Sequence, residues 1–129
     1  MQVTIRPAVA DDTAAILAIE QQALSAAHWT KEQYERRVAE GMILVANEAG
    51  TVLGFVCARE VLDVWEIENL VIAEPARRRG IADQILEEVL CRARNRAGSA
   101  VWLEVRESNK AALGLYGSRG FAALSRRSR

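Results

Sequence analysis

The feature that most restricts the fold of this sequence is a change in the spacing of its apolar residues around Gly80. The run VWEIENLVIAEP at 64–75 is rich in strand-forming residues and ends at a proline, which predicts a β-strand. After Gly80 the apolar positions recur every four residues, which predicts an amphipathic helix packed against a sheet. Those positions are Ile81, Ile85, Val89 and Ala93, with Ala82, Leu86 and Leu90 beside them.

The rest of the chain predicts further strands and helices in a defined order. These are a strand at 3–8, helices beginning near 11–13 and at the capping box 30–33, a hairpin within 42–61, a strand at 100–107, a helix at 108–120 and a strand at 121–124. The order β-α-α-β-β-β-α-β-α-β combines a meander with a βαβ unit, so we expect an α/β fold with a mixed sheet and helices on both faces. With no repeat or linker, residues 1–129 are expected to form one domain.

Charge and composition narrow the classes of function. Lysine plus arginine equals aspartate plus glutamate, at 17 each, so the chain has no general electrostatic attraction to nucleic acid. His28 is the only histidine, and Cys57 and Cys91 lie far apart, so no metal site is predicted and each thiol is expected to be buried and free. No run approaches the length of a membrane span and no leader pattern opens the chain, so a cytoplasmic protein is expected.

The sequence RRRGIA at 77–82 occupies the loop between the predicted strand and the amphipathic helix. The first N–H groups of a helix lack intrahelical partners and bind phosphate readily, and Gly80 would let the backbone approach an anion. The same composition suits a surface turn with solvated arginines, and the local pattern leaves both interpretations open. The spacing matches neither the Walker loop nor the GxGxxG loop.

Two stretches carry a resemblance to a known family. The stretch LVIAEPARRRGIADQIL resembles the acetyl-CoA-binding motif of the GNAT superfamily of N-acetyltransferases, whose [Q/R]-x-x-G-x-[G/A] loop is matched by Arg77, Gly80 and Ala82. The stretch WLEVRESNKAALGLYGSRGF at 102–121 resembles the RimI-type ribosomal-protein N-terminal alanine acetyltransferases. The resemblance covers nearly the whole chain. It implies the GNAT fold and transfer of an acetyl group from acetyl-CoA to a primary amine, above all the N-terminal α-amino group of a protein.

The resemblance also implies which residues bind the acetyl donor. The strand backbone at Leu70, Val71 and Ile72 would hydrogen-bond the pantetheine arm, and Asn109 would contact the donor near its thioester. The loop would hold the pyrophosphate. The loop residues concerned are Arg77, Arg78, Arg79, Gly80, Ile81 and Ala82.

Acetyl transfer from a thioester to an amine requires a base for the arriving ammonium and an acid for the departing thiolate. The carbonyl oxygen also needs a donor, which a strand N–H such as that of Val71 could provide. The resemblance implies Glu104 as the base and Tyr116 as the acid. Glu104 could instead form an ion pair with an arginine, and Tyr116 could be a core residue. Glu66 and Glu68 share a face of the neighbouring strand and are rival bases.

Members of the resembled family continue beyond the point where this sequence stops, at SRRSR, with a further strand beside the substrate cleft. We therefore expect the C-terminal strand to be missing, with either a homodimer through the open sheet edge or weak peptide binding as the result. Two other functions stay open. One is acetylation of a small-molecule amine or polyamine, and the other is a non-catalytic acyl-CoA-binding domain.

Overall fold

The computed structural model describes residues 2–23, 29–62, 64–95, 100–103 and 114–117. The strands are β1 (Thr4–Pro7), β2 (Ile43–Glu48), β3 (Thr51–Val61), β4 (Val64–Ile72) and β5 (Ala100–Leu103). The helices are α1 (Thr13–Gln21), α2 (Lys31–Ala39) and α3 (Ile81–Asn95), with short 3-10 turns at Ala10–Asp12 and Glu74–Ala76. Residues 114–117 are helical as well. Within these ranges, no helix has the length and apolar content that crossing a membrane requires.

The described strands form one mixed sheet in the order β1-β2-β3-β4-β5. The first four strands pair antiparallel, and β4 pairs parallel with β5. Parallel neighbours need a crossover connection, and α3 supplies it. The meander followed by a βαβ unit confirms the α/β fold class with a mixed sheet.

Helices cover both faces of the sheet, as predicted. On one face α3 buries Ile81, Ile85, Leu86 and Val89 against strand residues such as Val56 and Ile67. On the other face α1 and α2 bury Ile16 and Tyr34 against a second set of strand residues, which includes Val45, Phe55, Cys57 and Val71. Successive residues along a strand therefore face alternately the α3 side and the α1–α2 side of the sheet.

Local sequence signals account for two of the connections. The capping box at the start of α2 is confirmed: Gln33 N donates to Thr30 Oγ1 at 3.2 Å, and Thr30 N donates to Gln33 Oε1 at 2.7 Å. Between β2 and β3 the two turn residues, Ala49 and Gly50, have φ values of 52° and 86°. Two successive left-handed residues form the tight turn that suits a hairpin, so the predicted hairpin is confirmed.

Strand β4 ends before the proline that closes the run at 64–75. The strand ends at Ile72, and Pro75 lies inside the 3-10 turn Glu74–Ala76 that follows it. Proline suits the first positions of such a turn because they need no N–H donor. The predicted segments beyond Leu103 and around residues 114–117, including the strand at 121–124 and the open C-terminal edge, lie outside the described residues.

The two cysteines differ in burial. Cys57 on β3 is fully buried, as predicted. The prediction for Cys91 was wrong, because this thiol is exposed on α3. The helix turns about 100° per residue, so Cys91 lies well away from the stripe of Val89 and Ala93 that faces the sheet.

Strand β4 contains a β-bulge at Glu68. Asn69 pairs with Cys57 while Ile67 pairs with Ala58, so Glu68 is an extra residue in the ladder. The bulge turns two successive side chains to one face: Glu68 and Asn69 both contact α2, whereas Ile67 and Leu70 pack on the α3 side.

Candidate active site

The loop at 77–80, just before α3, is exposed, and its backbone contains two left-handed residues. Gly80 has a φ of 76° and Arg78 a φ of 67°, and a Cβ added at Gly80 would meet no atom within 4 Å. Gln84 N donates to Gly80 O at 3.1 Å as the first bond of the helix. The N–H groups ahead of Gln84 therefore have no intrahelical acceptor and are available to an anion.

A cavity of about 310 Å³ lies in front of this helix end. Its walls come from the end of β4, the loop, the first turn of α3 and the helical segment at 114–117. The lining residues are Ile72, Ala76, Arg77, Arg78, Gly80, Ile81, Ala82, Asp83 and Leu115. Six residues that the sequence assigned to donor binding therefore lie around one cavity.

The three arginines of the loop have different environments. Arg77 Nε donates to Ile72 O at 3.2 Å. Arg79 is bound to both oxygens of Glu48, at the end of β2, with distances of 2.8 and 3.3 Å. The guanidinium group holds the pKa of the Glu48 carboxyl below its usual value. Among the described residues, Arg78 has no hydrogen-bond or ion-pair partner, and it lines the cavity.

In the second half of β4, the backbone groups of successive residues point alternately toward β3 and away from it. Ala73 N donates to Leu53 O at 2.8 Å, so alternation turns the Val71 backbone toward β3 and the Leu70 and Ile72 backbones away from it. The described part of β5 pairs with β4 only as far as Ile67. Among the described residues, nothing pairs with the outward N–H groups of Leu70 and Ile72 or with the Leu70 C=O, and we call these three groups the open edge of β4; the Ile72 C=O accepts from Arg77. The Val71 N–H, predicted as a donor to the carbonyl oxygen, faces β3 instead, and its side chain packs on the α1–α2 side.

Tyr116 lies in the helical segment at 114–117 and packs against the core on the α3 side. Burial raises the pKa of its phenol, so the group keeps its proton to higher pH than an ordinary tyrosine does. Its neighbour Leu115 lines the cavity. A protonated phenol beside the cavity is compatible with the predicted acid, and its packing is equally that of a core residue.

Glu104 and Asn109 lie outside the described residues. The strand just before them follows the predicted alternation, since Val101 and Leu103 pack on the α3 side and Trp102 is 50% exposed. Trp102 pairs in register with Glu66 of β4. An aromatic ring and a carboxylate therefore lie side by side on the strands that border the open edge of β4.

The two rival bases differ in exposure. The side chain of Glu66 is 49% exposed and lies 3.5 Å from Arg59 Nε. Glu68 is 14% exposed, and its two oxygens lie 3.3 Å from Arg37 Nε and 3.7 Å from Arg59 Nε. Glu68 also accepts a hydrogen bond from Cys57 Sγ at 3.4 Å, and its charge together with burial raises the pKa of that thiol. A carboxylate held by two guanidinium groups is better suited to fixing structure than to accepting a proton from a substrate.

Sequence reasoning missed one buried polar contact near the site. Asn69 Nδ2 donates to Tyr34 Oη at 2.9 Å, and both residues are buried. Burial is also the main reason that the pKa of Tyr34 is raised. One signal was present in the sequence: the apolar residues of β4 change from odd positions, Trp65 and Ile67, to even positions, Leu70 and Ile72. The change from odd to even positions marks the bulge, and the bulge turns Asn69 toward α2.

Comparison with known proteins identifies the family. The sequence model of the Acetyltransferase (GNAT) family matches residues 10–121. The ribosomal protein bS18-alanine N-acetyltransferase of Escherichia coli strain K12 is 30% identical over 119 residues, 92% of this chain and 80% of the relative. The crystal structure of the ribosomal-protein-S18-alanine N-acetyltransferase from Escherichia coli aligns with a TM-score of 0.85 at 28% identity, covering 96% of this chain and 80% of that one.

A second structure adds a ligand to the comparison. The PaiA N-acetyltransferase of Thermoplasma acidophilum, solved in complex with coenzyme A, aligns with a TM-score of 0.87 at 15% identity. The alignment covers 95% of this chain and 91% of that one, and it shows a shared fold. With the family match over residues 10–121, the chain belongs to the GNAT family, which uses acetyl-CoA, and it is an N-acetyltransferase.

Proposed function

We propose that this enzyme transfers the acetyl group of acetyl-CoA to the N-terminal α-amino group of a protein that begins with alanine. The observation that carries the proposal is the meeting of the cavity at the α3 N-terminus with the open edge of β4. The choice of acceptor rests on the Escherichia coli relative, whose name specifies a ribosomal protein alanine.

The described residues fit the two ends of an acetyl-CoA molecule. The loop offers helix N–H groups, a glycine whose Cβ position is open, and the Arg78 guanidinium, all of which suit a pyrophosphate. The open edge of β4 offers backbone donors and acceptors to an extended, amide-containing arm, which can hydrogen-bond it like an added strand. Coenzyme A would therefore run from the loop along β4, with its sulfur away from the loop.

The reaction forms a C–N bond and breaks a C–S bond, and two protons must move. The acceptor ammonium gives a proton to a base before attack, and we assign this role to Glu104, with the half-exposed Glu66 as its rival. The sulfur leaves as a thiol when it takes a proton from an acid. The Tyr116 phenol is our candidate, since a tyrosine is protonated at neutral pH and burial raises the pKa of this one further. The products are an N-acetyl amide and coenzyme A.

A panel of acceptors tests the proposal. The protein is incubated with acetyl-CoA and peptides that differ only in their first residue, alanine, serine, methionine or proline, and with a polyamine, and products are followed by intact mass. A matched peptide with a blocked α-amino group and a free lysine is the control. We expect the alanine peptide to be acetylated fastest, by at least about tenfold, and the blocked peptide to stay unmodified.

Three results would contradict this assignment, and each points elsewhere. Preferred turnover of the polyamine would assign a small-amine acetyltransferase. Acetylation of the blocked peptide would assign lysine side chains as acceptors. Binding of acetyl-CoA with no turnover of any acceptor would indicate a non-catalytic acyl-CoA-binding domain.

A further inference from the structure

Helix α2 holds both residues of the β4 bulge. Tyr34 Oη accepts from Asn69 Nδ2 at 2.9 Å, and Arg37 Nε lies 3.3 Å from Glu68 Oε1. Tyr34 and Arg37 are three residues apart, so they project from the same side of the helix. Two separate polar contacts therefore join one face of α2 to two successive residues of β4.

These contacts are fixed by their surroundings. Tyr34 is fully buried, with its ring edge-on to Phe55 at 5.7 Å between centroids. The ring of Trp29 lies 5.3 Å from that of Tyr34, and the Arg37 guanidinium lies 3.9 Å from the centre of the Trp29 ring. A second nitrogen of Arg37 donates to Gln33 O at 3.3 Å. Because an unpaired amide or hydroxyl in such a buried site is costly, the geometry of the bulge is strongly specified.

The bulge lies immediately before the open edge of β4. Asn69 directly precedes Leu70, the first residue after the bulge whose backbone points away from β3. Any shift of Asn69 along the strand therefore shifts the Leu70 N–H. A backbone donor aimed at a developing negative charge is effective only if it is held in place before the reaction.

We propose that Tyr34 and Arg37, which we call the α2 pair, are positioning residues that aim the Leu70 N–H at the carbonyl oxygen of the acetyl thioester. This inference rests on the proposed course of acetyl-CoA along β4. Neither residue touches the donor or the acceptor. Both act through the bulge, so their loss should weaken polarisation of the carbonyl while the loop continues to hold the pyrophosphate.

The test compares Tyr34→Phe and Arg37→Gln with Arg36→Gln, an exposed position on the same helix. Tyr34→Phe keeps the aromatic packing and removes the hydroxyl that accepts the Asn69 hydrogen bond. For each protein we would measure thermal unfolding, the Kd of coenzyme A, kcat, and the infrared band of carbonyl-labelled acetyl-CoA bound without acceptor.

We expect both α2-pair variants to lower kcat on the order of tenfold, with the Kd of coenzyme A within about twofold of wild type. The carbonyl band should move back toward its position in free acetyl-CoA, while Arg36→Gln should change none of these quantities. The infrared measurement needs no acceptor, so it separates this inference from the assignment of the acceptor.

The inference is overturned if folded Tyr34→Phe keeps the wild-type kcat and carbonyl band. A lower kcat with an unmoved band also overturns it, since that pattern indicates general loosening. If both variants unfold, Asn69→Ser, which shortens the donor from the β4 side, replaces them and must move the band. A wild-type band identical to that of free acetyl-CoA removes the inference while leaving the acceptor assignment intact.

Discussion

Arg79 and Glu48 form a two-point ion pair that joins the loop at 77–80 to the end of β2, across 31 positions of the sequence. The pair turns one of the three loop arginines toward the protein, and Arg77 is turned toward the Ile72 carbonyl. Arg78 is thereby the loop cation that has no partner among the described residues.

The different environments of the three loop arginines predict that they contribute unequally to coenzyme A binding. Arg78→Gln should weaken coenzyme A binding by about tenfold or more and reduce the dependence of the Kd on salt, because in the proposed binding mode this side chain contacts the phosphates. Arg79→Gln should have a smaller effect, matched by Glu48→Gln, because both remove the same tether. Calorimetry with coenzyme A and with pantetheine checks this, since pantetheine lacks phosphate and should be insensitive to Arg78. Equal losses for both ligands would contradict it.

Gly80 permits a prediction with a matched control. Gly80→Asp places a side chain and a negative charge where the pyrophosphate approaches, so coenzyme A affinity should fall at least about tenfold. Gly41 also has a left-handed backbone, with a φ of 75° and open space around its Cβ position, but it follows α2. Gly41→Asp therefore carries the same backbone strain and should leave affinity unchanged. If calorimetry shows similar losses for both, strain is the cause and the loop assignment fails.

Tyr116→Phe tests the acid. Removing the hydroxyl should lower kcat on the order of a hundredfold with little change in the Kd of coenzyme A. The raised pKa extends the protonated phenol to higher pH than an ordinary tyrosine, whose pKa is about 10. Any fall in wild-type rate that begins near pH 8 must then come from another group and should persist in the variant. Wild-type kcat in the variant would assign Tyr116 to the core.

The ion pair of Arg6 with Asp12 should give a pH-dependent contribution to stability. Arg6 donates to both oxygens of Asp12 at 2.8 and 3.0 Å, and this contact is the main reason that the pKa of the carboxyl is lowered. A lowered folded-state pKa stabilises the protein above the unfolded pKa of about 4, and the contribution is lost as the pH falls through the folded value. Asp12→Asn should destabilise by about 1–3 kcal/mol at pH 7. Denaturant unfolding should show the difference shrinking below pH 4; a constant difference would exclude the linkage.

The thiols should react very differently. Cys91 is exposed, whereas Cys57 is fully buried and its pKa is raised, so a thiol reagent should label one cysteine of the native protein quickly and the second only on unfolding. Cys91→Ser should abolish the fast phase. Fast labelling of that variant would mean that Cys57 is accessible.

Signals that act over a few residues were readable from the sequence. The capping box of Thr30 and Gln33 and the four-residue period of α3 are local, and both were predicted. The loop was placed correctly because a strand and a helix flank it on either side. The ion pair of Arg79 with Glu48 was not predicted, because it depends on which strand lies beside the loop in the sheet.

The bulge in β4 was missed for a related reason. Alternation correctly placed Glu66 and Glu68 on one face, but it also sent Asn69 to the opposite one. An extra residue in a ladder is decided by the partner strand, here by Cys57 and Ala58. Tyr34 and Arg37 then looked like ordinary positions of an amphipathic helix, since their contacts depend on that register.

The bulge also bears on how β3 and β4 find each other. If pairing spreads from the short connection between these strands as a regular ladder, Asn69 arrives opposite Val56 and its carboxamide is buried against the α3 side, away from Tyr34. In the same slipped register Leu70 and Ile72 leave that core. The correct ladder therefore forms by skipping Glu68, and the hydrophobic pattern of β4 itself disfavours the slipped one.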